Sequence, residues 1–182
     1  DDIMDQAPVR RGQPSVHIKW DTNTGILSGD AMLIRAYQFL EAYEPEVFKP
    51  MMELFSKTAL QVCEGQQYDM EFETEESVRI SDYLRMIEYK TAVLLGCALQ
   101  MGAMAGAAPK PEQEALYAFG IYLGMAFQLQ DDYLDVFGDT DAFGKQVGGD
   151  IIENRKIYLY LRAVEMAVEE IREKERESEV GD

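Results

Sequence analysis

PEQEALYAFGIYLGMAFQLQDDYLDVFGD, residues 111–139, decides the fold. Pro111 opens a run without further breakers until Gly138, so the segment predicts one long helix to about Phe137. At 100° per residue, Gly120, Gly124, Gln128, Asp131 and Asp135 fall within about 80° of one another and form a single stripe. A glycine inside a helix costs about 1 kcal/mol relative to alanine, so two on one stripe call for a reason. One is a concave floor, free of side chains, that leads to an amide and then to carboxylates. The other is close packing against a second helix. Ile121, Met125, Leu129 and Phe127 take the remaining faces and are expected in the core.

Outward from this segment, helical periodicity continues and strand-like alternation is nearly absent. Asp30 precedes AMLIRAYQFLEAY, a helix expected to end before Pro45. A second helix is expected from about Glu46 to Cys63, with Met51, Met52, Leu54, Phe55 and Leu60 as its core face. Asp69 to Glu76 holds five acids in eight residues and reads as a solvated turn or helix start. A third helix is expected from near Ser81 through YLRMIEYKTAVLLGCALQMGAMAGA, stopped by Pro109 and Pro111. Thr91 to Pro109 is nineteen residues without a charge. Its glycines, alanines and Gln100 make it a buried helix in tight contact with neighbours rather than an integral membrane segment. A glycine-rich loop follows Phe137, and a last helix is expected from near Ile151. Its acidic tail, about 165–182, is expected to fray or be disordered. The fold class that results is all-α, in one domain over residues 1–182.

Composition narrows the function. The 182 residues carry a net charge of −17 and are 47% hydrophobic. That excludes a largely disordered chain and a general nucleic-acid binder, which needs a basic face. Cys63 and Cys97 have no metal or disulfide spacing and read as two reduced core thiols, so a reducing compartment is expected. The one histidine, His17, argues against a His-rich metal site.

Two strings share the pattern D-D-x-x-D: Asp1-Asp2-Ile3-Met4-Asp5 and Asp131-Asp132-Tyr133-Leu134-Asp135. On a helix the first and last aspartates of each would lie about 40° apart on one face. Neither string contains a base to offset the charge. Hard oxygen donors without histidine or thiolate select Mg²⁺ or Ca²⁺. Mg²⁺ takes one or two carboxylates and completes its shell with water and phosphate oxygens. Two such clusters facing each other would hold several Mg²⁺ ions and a diphosphate. Cations are scarce, and Arg10-Arg11-Gly12 follows the first string at once. Adjacent guanidiniums suit phosphate, although an exposed basic turn explains them equally. Lys90-Thr91, Lys145 and Arg155 are the other candidates.

Five strings together carry a resemblance: DDIMDQAPVRRGQP, GILSGDAML, YKTAVLL, GMAFQLQDDYLDVFGD and GKQVGGDIIENRK. In this order, across residues 1–156, the chain resembles the trans-isoprenyl diphosphate synthases of the polyprenyl synthetase family. It is most similar to the bacterial short-to-medium-chain type, such as farnesyl or geranylgeranyl diphosphate synthases. The resemblance implies a bundle of long helices around a central cavity. It implies condensation of an allylic diphosphate with isopentenyl diphosphate, with Mg²⁺ as cofactor, in a cytoplasmic homodimer. By the same resemblance Asp1, Asp5 and Asp131 are Mg²⁺ ligands. Asp2, Asp132 and Asp135 serve as ligands or stand behind them. Arg10 contacts the allylic diphosphate and Arg11 isopentenyl diphosphate. Lys90, Thr91 and Gln128 lie near the leaving group and the developing cation. Lys145 binds diphosphate, as does Arg155, at a position more often lysine. The family has helices before its first motif and after its last, so the chain is expected to be truncated at both ends. The alternatives are a terpene cyclase or head-to-head synthase on the same fold, and a non-catalytic helical subunit or inactive fragment.

Overall fold

The computed structural model describes residues 2–138 and 156–180, the last of these by backbone alone at 174, 175 and 177–180. The chain forms two compact units, Asp1–Ser56 and Lys57–Asp182.

The first unit opens with turns over residues 2–6, so the first acidic string is not helical among its described residues. The spacing argument for a common helix face fails there. A two-stranded ribbon follows, β1 (Val9–Arg10) paired antiparallel to β2 (Gln13–Pro14), with Val9 opposite Pro14 and Arg10 opposite Gln13. The turn between them is Arg11-Gly12, with φ of 52° and 74°. Two successive left-handed residues make a type I′ turn, whose twist matches a hairpin and whose second position favours glycine. Helix α1 (Val16–Lys19) leads to α2 (Thr22–Leu40). Asp21 caps α2: its carboxylate accepts from the Thr24 amide at 2.9 Å and from the Thr24 hydroxyl at 2.8 Å. This cap starts the helix well before Asp30, and Gly25 and Gly29 are carried inside it.

Helix α3 (Pro45–Phe72) begins on a proline, whose missing N–H costs nothing in the first turn, and spans the boundary of the units. It runs past Cys63, because Gln, Glu and Met downstream are good helix formers. The expected solvated turn from Asp69 therefore starts inside a helix. Of the expected core face, Met51 is buried while Leu60 is exposed. Cys63 is exposed and Cys97 buried, so only one of the two thiols belongs to the core.

The second unit continues with α4 (Ile80–Ile87), a π-helical turn (Glu88–Ala92) and α5 (Val93–Ala105). These three replace the single helix expected from Ser81. The extra residue of the π turn is visible in burial. Tyr83, Met86 and Ile87 are buried, and the next buried residues are Ala92 and Val93, further on than a regular helix would place them. Helix α6 (Lys110–Phe137) matches the expected span, and α7 (Tyr158–Val180) closes the unit. The start expected near Ile151 lies outside the described residues. The described backbone of the acidic tail is helical to Val180. Glu, Arg and Lys favour helix, and Arg162 pairs with Glu165 at 2.5 Å.

The core of this unit gathers Phe72, Tyr83, Met86, Ile87 and Leu161, with Met125 and Leu129 of α6 packed against it. Phe127, expected inside, is 58% exposed. Among the described residues no helix is long and apolar enough to cross a membrane.

Candidate active site

Glycine decides how α6 is held. A Cβ on Gly120 would lie 2.5 Å from the Cα of Gly96, and one on Gly124 would lie 2.5 Å from the Cα of Ala92. Both glycines are buried. The stripe therefore serves close packing of α6 on α5 and the π turn. It is not the concave floor, because neighbouring backbone fills the space a side chain would take. The consequence for the site is a fixed distance between the π turn and the acidic end of α6.

Asp132 lies at the centre of that end, 3% exposed. Its carboxylate accepts the Tyr83 hydroxyl proton, the Tyr158 amide at 3.1 Å and the Gln128 side-chain amide at 3.3 Å. Burial pushes its pKa up, and the hydrogen bonds from Tyr83, Tyr158 and Gln128 oppose that shift. One carboxylate thus ties α6 to α4 and to the first residue of α7. Gln128, one turn earlier, is fixed from both sides, since the Thr91 hydroxyl donates to its carbonyl oxygen at 3.2 Å. Lys90, beside Thr91 in the π turn, donates to Asp69 of α3 at 2.6 Å. A small cavity of about 50 Å³ is lined by Asp69, Tyr83, Lys90, Gln128, Asp132 and Lys156, among others.

Lys90, Thr91, Gln128 and Asp132 are thus brought together. Asp131 and Asp135 flank Asp132 on α6 and are half-buried. In the first unit, Asp2 accepts from Arg10 Nε at 2.7 Å and from its Nη2. That hydrogen bond raises the Arg10 pKa further. Asp5 is half-buried, and Arg11 is exposed at the hairpin tip. Asp1, Lys145 and Arg155 lie outside the described residues. Asp69 and Tyr83 are site-lining residues that motif reading passed over, and Lys156, the last residue of the fifth string, lines the cavity with them. The available signal for Asp69 was Gly65, four residues earlier on the same helix face.

Among the described residues, no three His, Cys, Asp or Glu side chains gather tightly enough to hold a metal by themselves. The donor set suits a cation that needs less than that. Asp132 is buried and accepts from three donors, while Asp131 and Asp135, half-buried beside it, carry the hard carboxylate oxygens that would hold such a cation. A pair of carboxylates is the usual protein share of a Mg²⁺ shell completed by water and phosphate.

The fold is the all-α fold of the isoprenoid synthases. A solved geranylgeranyl pyrophosphate synthase superposes with a TM-score of 0.87 at 59% identity, over 91% of this chain and 50% of that one. The geranylgeranyl pyrophosphate synthetase of Pyrococcus horikoshii gives 0.81 at 38% identity, over 86% and 49%. The chain belongs to the polyprenyl synthetase family, whose model matches residues 1–179. A geranylgeranyl diphosphate synthase of Methanosarcina mazei is 40% identical over 92% of this chain and 52% of its own length. The chain thus spans about half the length of the curated relatives it matches.

Proposed function

We propose that the protein takes part in head-to-tail prenyl transfer, joining an allylic diphosphate to isopentenyl diphosphate with loss of diphosphate and of a proton from the isopentenyl unit. The observation that carries the reading is the juxtaposition around Asp132. The Lys90 ammonium and the Gln128 amide line one small cavity with the carboxylates of Asp69 and Asp132, and the Thr91 hydroxyl donates to that amide.

The residues supply what the reaction needs. Ionisation of the allylic carbon–oxygen bond leaves negative charge on the departing diphosphate and positive charge on carbon. Lys90 meets the diphosphate oxygens. Thr91 has its proton committed to Gln128, so its oxygen lone pairs face the developing cation without a competing donor. Gln128 cannot rotate away, because Asp132 holds its amide nitrogen. Asp131 and Asp135 would hold Mg²⁺, which when bound neutralises the leaving diphosphate. In the first unit, Asp2 and Asp5, with Asp1, offer the same donor chemistry, and Arg10 and Arg11 offer guanidiniums to a diphosphate. Lys145 and Arg155 are assigned to diphosphate as well. Charge stabilisation of this kind acts most strongly in the transition state. The homodimer and cytoplasmic location that the resemblance implies belong to the same proposal.

The test is incubation with Mg²⁺, labelled isopentenyl diphosphate and a series of allylic primers. A longer prenyl diphosphate is expected. A hydrocarbon product would point to a cyclase instead, and no elongated product from the folded chain would overturn the reading.

A further inference from the structure

Lys90 is not waiting in solvent for its ligand. Its ammonium is held by Asp69 at 2.6 Å, and the two side chains are only 23% and 13% exposed. Asp69 comes from α3, outside both D-D-x-x-D strings. The chain places it with care: Gly65 lies one turn earlier on the same face, and a Cβ there would fall 2.3 Å from the Lys90 backbone nitrogen. Glycine at 65 lets α3 press its backbone against the π turn, and Asp69 then receives the side chain of the same lysine. The π turn itself is an irregularity of a kind found frequently at functional sites.

An ion pair withdrawn from water is a weak source of stability, since desolvation cancels much of the attraction. It does have a consequence for an incoming anion. A lysine ammonium is a compact charge on a flexible four-carbon stem, able to pass from one oxygen to another. A diphosphate that approaches Lys90 competes with Asp69 for its N–H donors and meets the repulsion of that carboxylate. Lys156 lines the same cavity, so a second cation stays near the carboxylate when Lys90 leaves it.

We propose that Asp69 is the resting counter-ion of Lys90, exchanged for diphosphate when ligand binds, and that it lowers the affinity of the site for diphosphate. The inference rests on the reading of Lys90 as a diphosphate-binding residue. Its benefit is kinetic: binding diphosphate equally in ground and transition states does not speed the reaction, and tight binding slows release of the product. Asp69 acts through Lys90 and is a positioning residue.

The experiment is calorimetric titration of the full chain with inorganic diphosphate in the presence of Mg²⁺. Asp69→Asn removes the competing charge at nearly constant shape, and affinity is expected to rise about tenfold. Asp69→Ser is expected to behave alike, and Asp69→Glu to return affinity to within about threefold of the parent, since the charge is restored. Circular dichroism establishes that each variant is folded. A purely structural ion pair predicts unchanged or weaker binding in Asp69→Asn, and that result overturns the inference. Lys90→Ala separates the two levels. Weaker binding there with no gain in Asp69→Asn or Asp69→Ser refutes the counter-ion alone. Unchanged binding in Lys90→Ala refutes the assignment of Lys90 and the inference with it.

Discussion

The two D-D-x-x-D strings are spelled alike and built differently. The first lies in turns, and its described partner is Arg10, a half-exposed guanidinium eight residues on in the chain. The second sits at the end of a 28-residue helix, with its middle aspartate buried among a tyrosine hydroxyl, a backbone amide and a glutamine. The spacing of acids is therefore no guide to their conformation. Neighbours decide it, and they also set Asp132, buried among three donors, apart from the half-buried Asp131 and Asp135.

The contrast can be broken at several points. The largest effect is expected on turnover. On the proposed reading of Asp131 as a metal-holding carboxylate, Asp131→Ala should lower kcat about a hundredfold or more while leaving most of the urea stability, because the side chain is only half-buried. If stability falls instead, Asp131 is an anchor like its neighbour. Next comes stability itself. Asp132→Ala strands the Tyr83 hydroxyl and the Tyr158 amide, and should cost about 2–5 kcal/mol in urea unfolding. Asp2→Ala breaks a half-exposed pair and should cost under about 1 kcal/mol. Equal losses would erase the contrast.

A third comparison concerns the backbone under each string. Gly120→Ala drives a Cβ into the Gly96 backbone and should cost about 2–3 kcal/mol by overpacking. Gly12→Ala meets no neighbour within 4 Å and pays only for its positive φ, about 1–2 kcal/mol. Thermal unfolding of the two variants side by side measures the difference. The smallest effect is the pH dependence of the α2 cap. The Thr24 amide holds the Asp21 carboxyl below the usual carboxylate range. A depressed pKa means that the ionised cap stabilises at pH above about 4 and that this share is lost as pH falls through the folded-state value. The Tm gap between the parent and Asp21→Ala should therefore narrow from pH 7 to pH 2. A gap that widens on acidification would contradict the assignment.

Most helices were legible because their apolar period and their prolines speak locally. Pro45, Pro109 and Pro111 mark boundaries that the structure keeps close to the expected positions. The π turn was not legible, since EYKTA has no breaker and its extra residue is set by packing against Gly65 and α6. The start of α2 was missed because an aspartate cap at residue 21 outweighed two later glycines. Of the candidate site, Lys90, Thr91, Gln128 and Asp132, which the structure brings together, were legible in the sequence. Asp69 was not, because five acids in eight residues look solvated until a lysine 21 positions later is folded against one of them. The roles within D-D-x-x-D were equally hidden, as they depend on Tyr83 and on the start of α7.

The most direct test of the division of labour on α6 is a calorimetric titration with a bisphosphonate, with and without Mg²⁺. Binding is predicted to require Mg²⁺, to be lost in Asp131→Ala, and to survive within about tenfold in Asp132→Asn, which keeps an acceptor for Tyr83 and for the Tyr158 amide. Binding that persists in Asp131→Ala, or vanishes in a folded Asp132→Asn, would contradict it.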